Sequence, residues 1–178
     1  LTVIGALCIM EHFLGFDSVG YATRELFSCT VLYIFIFSLL TASPFNSVLS
    51  KYMSDIIYEE TFENILPCYY VGMILNITFS ALFGIPFCIH EYLVGNVDII
   101  YVFTGYCGFV ALVLVFYSML YLSICKDYKK ISFFFMIGMT VTVLLSFLFV
   151  KVIHMSITYG MLLALAIGFW LIACLEFA

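Results

Sequence analysis

The stretch TASPFNSVLSKYMSDIIYEE, residues 41–60, gathers four serines, an asparagine, a lysine, a proline and three carboxylates in a chain that is otherwise close to pure hydrocarbon. At about 100° per residue, Ser43, Ser47, Ser50 and Ser54 follow i, i+4, i+7, i+11 spacing and share one narrow stripe of a helix. Asn46, Lys51 and Tyr58 flank the stripe, while Phe45, Val48, Leu49, Tyr52 and Ile56 occupy the other side. A helix facing lipid all round has no use for such a stripe. Polar groups at membrane depth are tolerated where they face protein or a water-filled cavity. Pro44 removes one backbone donor and predicts a kink. Two readings stay open and are compatible. Small residues at this spacing let membrane helices pack closely, or Ser43, Asn46, Ser47, Ser50 and Ser54 line a hydrated cleft.

The composition sets the class. The 178 residues are 66% hydrophobic and 10% charged, with a mean hydropathy of +1.23, far from the globular average of about half apolar and a quarter charged. This is the composition of an integral membrane protein. A net charge of −5 leaves no basic surface for nucleic acid. The seven cysteines, Cys8, Cys29, Cys68, Cys88, Cys107, Cys125 and Cys174, are scattered without a CxxC pair or ligand-like spacing. They read as small core residues, with no disulfide and no metal site.

Apolar runs of spanning length cover residues 26–50, 65–89, 99–124, 131–150 and 155–175, each near the ~20 residues a transmembrane helix needs. The expected fold is all-α, a polytopic bundle of five full spans plus one truncated span in 1–10, forming a single transmembrane domain over 1–178. Barrel strands are excluded, because the runs lack period-two alternation. The chain opens on Leu1 inside LTVIGALCIM and closes inside GFWLIACLEFA, which predicts a piece of a longer protein. Asn64 and Pro67 suit the start of the second full span as cap and first-turn proline. Pro86 predicts a kink or an end to it. If the connections at 51–64 and 126–130 are cytoplasmic, that side holds Lys51, Lys126, Lys129 and Lys130 against Arg24 and Lys151 outside, the direction the positive-inside bias prefers.

The run SPFNSVLSKYMSDIIYEETFENILPCYYVGM, followed by CKDYKKISFFFMIGM and GMLLALAIGFWLI, resembles the PelG family of exopolysaccharide transporters, a branch of the MATE-like (MOP) flippase superfamily. The likeness rests on Ser54, Asp55, Tyr58, Glu59, Ile65, Leu66, Pro67, Tyr128 and Lys129, with Lys51 at the basic position before the aromatic. The resemblance implies an inner-membrane transporter of a bacterium that exports a Pel-like, partly deacetylated N-acetylhexosamine polymer for biofilm matrix. It also implies a cytosolic glycosyltransferase and a cyclic-di-GMP-responsive membrane subunit as partners. This chain would then be most of the N-terminal half-bundle of such a transporter.

Other constellations fit beside that reading. Lys51 and Asp55 sit at i, i+4 and can pair, and with Tyr58 they form a candidate cytoplasmic gate or interface. Tyr106, Tyr117, Tyr121 and Tyr128 fall on one face of the 99–124 span and its exit. Aromatic rings stack on sugar faces, so Tyr106, Tyr117 and Tyr121 are candidates for a sugar path, although tyrosines also gather in packing and interfacial belts. Asn76 lies mid-span and is expected to make a buried polar contact between spans. His12, His90 and His154 have no HExxH spacing and no nucleophile set nearby, so neither an enzyme nor a cofactor is expected. Two alternatives remain: a non-transporting scaffold that docks a cytosolic glycosyltransferase, and another flippase of the same superfamily that moves lipid-linked oligosaccharides.

Overall fold

The computed structural model of the protein describes residues 2–15, 18–59, 63, 65–124 and 126–177. It contains α1 (Thr2–Phe13), α2 (Tyr21–Tyr58), α3 (Ile65–Leu93), α4 (Ile99–Ile124), α5 (Tyr128–Phe147) and α6 (Ile157–Phe177), with a π-helical turn at Leu148–Val152 after α5. Five of these helices, α2 to α6, are long and apolar enough to cross a membrane. α1, at 12 residues, reaches only about 18 Å and cannot cross a hydrocarbon core of about 30 Å.

The helix directions follow from paired contacts. Thr30 meets Tyr101 and Asn46 meets Phe116, so α2 and α4 run parallel. Tyr117 bonds Tyr69 while Tyr106 packs on Gly84, so α3 runs antiparallel to α4. Gly108 lies against Ala166 and Ser118 against Glu176, which makes α6 parallel to α4. Gly138 meets Ile172 and Gly160 meets Val150, so α5 runs antiparallel to α6. The ends of α2 and α4 and the start of α5 therefore lie at one end of the bundle, together with Lys51, Lys126, Lys129 and Lys130. Arg24 and Lys151 lie at the other.

α4 and α6 form the buried centre, and the other helices wrap around them. Ala111, Leu112, Val113 and Val115 of α4 are sealed on all sides, as are Met161, Ala164 and Ile172 of α6, which is why both helices read as apolar around their whole circumference. Lipid supplies no hydrophobic drive between helices, so close approach and dispersion contacts must hold them. The α5–α6 seam shows how close: a Cβ on Gly168 would fall 1.8 Å from Thr142 Oγ1. Exposed hydroxyls satisfy themselves on their own helix, as Thr78 does on the Ile74 carbonyl at 2.8 Å and Thr140 on that of Met136 at 2.7 Å. α1 lies against α5, with Met10 fully buried.

The structure changes several expectations. α2 is a single helix of 38 residues through Pro44, about 57 Å long against the roughly 40–45 Å of a bilayer with its headgroups. The end of the polar stretch, about Lys51 to Tyr58, is thus the overhang of a spanning helix, where water can solvate it. Pro86 does not end α3, which continues to Leu93. Pro67 falls in the first turn of α3 as expected, whereas Asn64 and Cys125 lie outside the described residues. The six described cysteines are free, and none is a core residue: Cys8, Cys29 and Cys174 are exposed, and Cys68, Cys88 and Cys107 half-buried. Asn76 is fully buried, but its Nδ2 donates to the Gly72 carbonyl of its own helix at 2.9 Å rather than to another span.

Candidate functional site

Three features of the bundle bear on function: the serine face of α2, an aromatic cluster at the lysine-bearing end, and an apolar groove along the side. The serine face belongs to the exposed half of α2. Leu49, Met53 and Ile56 turn inward, while Ser43, Ser47 and Ser54 are exposed and Ser50 is half-buried. The hydroxyls of Ser47 and Ser54 donate to the Ser43 and Ser50 carbonyls at 3.1 and 2.8 Å. With three of its four serines exposed, the stripe is open along most of its length. Asn46 stands at its inner margin, its Nδ2 donating to the Phe116 carbonyl at 3.4 Å and its Oδ1 buried without a partner. Lys51, Asp55 and Tyr58 continue onto the overhang and are exposed. Lys51 and Asp55 form no ion pair with each other among the described residues.

The groove runs between α2, α3 and α4 and has a volume of about 690 Å³. Its walls are apolar, with Phe37, Phe45, Phe83 and Phe109 among them, and Glu91 at one end. None of the five candidate cleft residues lines it. From the polar stretch it takes only Thr41, Pro44 and Phe45, which sit on a different side of α2 from the serines.

The candidate tyrosines separate. Tyr106 is half-buried along the groove, where its Cε2 would lie 2.6 Å from a Cβ on Gly84. Tyr117 is fully buried. Its hydroxyl donates to the Tyr69 carbonyl at 2.9 Å and its ring stacks on Tyr69 at 5.3 Å. Tyr121 is half-buried against the same Tyr69 ring at 4.8 Å. The expected continuous face is therefore not one surface: Tyr117 serves packing between α3 and α4, and Tyr128 opens α5 beyond the turn. The reason is Gly72, whose missing side chain lets the Tyr117 ring lie against the α3 backbone.

Sequence reasoning missed Glu176. It lies in the last turn of α6, only 8% exposed, where the Ser118 hydroxyl of α4 meets its Oε2. Its Oε1 is buried without a partner. The available signal was a lone carboxylate in an apolar run with no basic residue one helical turn before it, at Ile172 or Ala173. No cluster of three or more potential metal ligands occurs among the described residues.

Five long apolar helices around a buried α4–α6 centre define a polytopic helical membrane protein. A family model described as "PelG: Putative exopolysaccharide Exporter (EPS-E)" matches residues 1–178, and the chain belongs to that family. Neither a curated protein nor a solved structure matches it. Membership makes a polysaccharide and the bilayer the partners of this chain, and the family is one of exporters rather than enzymes.

Proposed function

We propose that the protein works in the cytoplasmic membrane of a bacterium, where it carries a Pel-like hexosamine polymer outward to the biofilm matrix, and that the serine face of α2 borders the polymer's hydrated path. The observation that carries the assignment of the path is the contrast between the two open surfaces of α2. The groove wall is apolar and offers a sugar chain almost no hydrogen-bond partners. The serine face offers four hydroxyls in a line, three of them exposed, able to exchange bonds with water and sugar hydroxyls. Lysines at one end of the bundle support the orientation in which that end is cytoplasmic. There Lys51, Asp55 and Tyr58 form the surface on which a cytosolic glycosyltransferase, and a cyclic-di-GMP-responsive membrane subunit beside it, would dock. Tyr106 lies in the apolar groove and Tyr117 is sealed in packing, which leaves Tyr121 as the candidate ring for a sugar.

The test is Ser50→Leu in the full chain, compared with Val48→Leu at matched depth. Ser50→Leu should leave accumulated protein at the normal level and abolish polymer export, and Val48→Leu should be near neutral in both. Loss of protein in Ser50→Leu would instead mark the serines as packing residues.

A further inference from the structure

Among the described residues Glu176 is the only acidic or basic side chain that is buried, and the arrangement around it has two proton positions. The Ser118 hydroxyl has one proton and three oxygens within reach: Glu176 Oε2, the Leu114 carbonyl at 2.9 Å and the Val115 carbonyl at 3.1 Å. With Glu176 ionised, Ser118 donates to Oε2. With Glu176 protonated, the carboxyl donates to Ser118 Oγ, and the serine proton turns to its own backbone. Neither state needs a movement of the backbone. An ionised carboxylate sealed from water is costly unless a cation meets it, and none does among the described residues. The groups facing it are Tyr69 of α3 and, beyond that ring, Tyr117 and Tyr121 of α4. At this end of the bundle Lys51 and Asp55 of α2 are exposed, Lys129 and Lys130 of α5 are exposed, and Lys130 pairs with Asp127 at 2.9 Å.

We propose that Glu176 is the carboxyl through which this exporter takes up and releases a proton, with Ser118 as its positioning residue. The inference rests on the exporter reading above. A proton is favoured over Na⁺ because no further His, Cys, Asp or Glu side chains gather with Glu176 into a set of potential metal ligands among the described residues, whereas a metal cation needs several ligands. Loading adds one proton to the carboxylate and reorients the serine hydroxyl; unloading reverses both. Ser118 lies about 9 Å from the α4 terminus that leads to Lys126, so exchange takes place from the lysine-bearing end.

The experiment is labelling of the full chain in lipid nanodiscs with dicyclohexylcarbodiimide, an apolar reagent that adds to protonated carboxyl groups, followed by peptide mass spectrometry. Glu176 should be modified at low pH, and the modification should fall about tenfold per pH unit above its midpoint, as for one proton. Ser118→Ala should move that midpoint, and Glu176→Gln should abolish labelling of the peptide. Replacing choline chloride by NaCl should not protect. Absence of labelling at every pH, labelling indifferent to pH, protection by Na⁺, or an unmoved midpoint in Ser118→Ala would each overturn the proposal. In cells, Glu176→Gln should export at least tenfold less polymer at equal protein level; wild-type export would overturn it. The labelling requires no polymer, so its failure is separable from failure of the serine-face reading.

Discussion

Gly72→Ala is the sharpest perturbation of the packing at the lysine-bearing end. The added Cβ would sit 2.1 Å from Tyr117 Oη, 2.9 Å from Cζ and 3.2 Å from Cε2, where carbon contacts settle at about 3.5–4.0 Å. Tyr117 has nowhere to retreat, because it is fully buried and held by both the Tyr69 carbonyl and the Tyr69 ring. The overlap therefore forces α3 away from α4, an overpacking cost of about 1–3 kcal/mol. Helix propensity alone predicts the opposite sign, since Ala is favoured over Gly by about 1 kcal/mol in a helix interior. Tyr117→Phe removes the nearest clash and one interhelical hydrogen bond, a loss of about 0.6 kcal/mol by membrane-protein averages. The double variant should thus be more stable than the sum of the singles predicts, with a coupling of about 1 kcal/mol, inside the range for residues in contact. Reversible unfolding of the full chain in bicelles by steric trapping measures all three variants. A neutral or stabilising Gly72→Ala, or strictly additive costs, would refute the packing described.

Two further predictions concern orientation and docking. With native cysteines replaced, a cysteine at Asn96 should react with an impermeant thiol reagent from outside intact cells and one at Lys129 should not; the reverse pattern would invert the topology. Asp55→Ala, on the exposed overhang of α2, should reduce export more than Glu63→Ala at equal protein level, and equal export would remove the overhang from the docking surface.

The five spans were legible because run length and hydropathy are set by the bilayer, which the sequence must match residue by residue. Helix ends were not. Ser54, Asp55 and Tyr58 signal a connection by polarity, yet a helix is free to continue into water, and α2 does so to Tyr58. Pro86 is compatible with either a kink or an end, and only tertiary structure decides: α3 continues through it to Leu93. Periodicity separated the serines from the apolar side of α2 but did not divide that side into its buried and outward parts: Leu49 and Ile56 are buried, whereas Val48 and Tyr52 are exposed. Tertiary placement was beyond reach: whether Tyr117 met a sugar or a backbone depended on Gly72 of another helix, 45 positions away in sequence. Glu176 escaped notice for the same reason, because its environment is made by Ser118 of α4.

The most direct test of the account is cysteine scanning of α2 in the full chain with a small water-soluble thiol reagent. Val48 is 72% exposed, so it matches Ser47 in depth and in freedom from protein contact, and differs only in the side of the helix it occupies. Cysteines at Ser43, Ser47 and Ser50 should react, and a cysteine at Val48 should stay protected by lipid. Equal labelling of Val48 and Ser47 would show that depth alone admits water, and uniform protection would show that no water reaches the face; either result would contradict a hydrated polymer path along it.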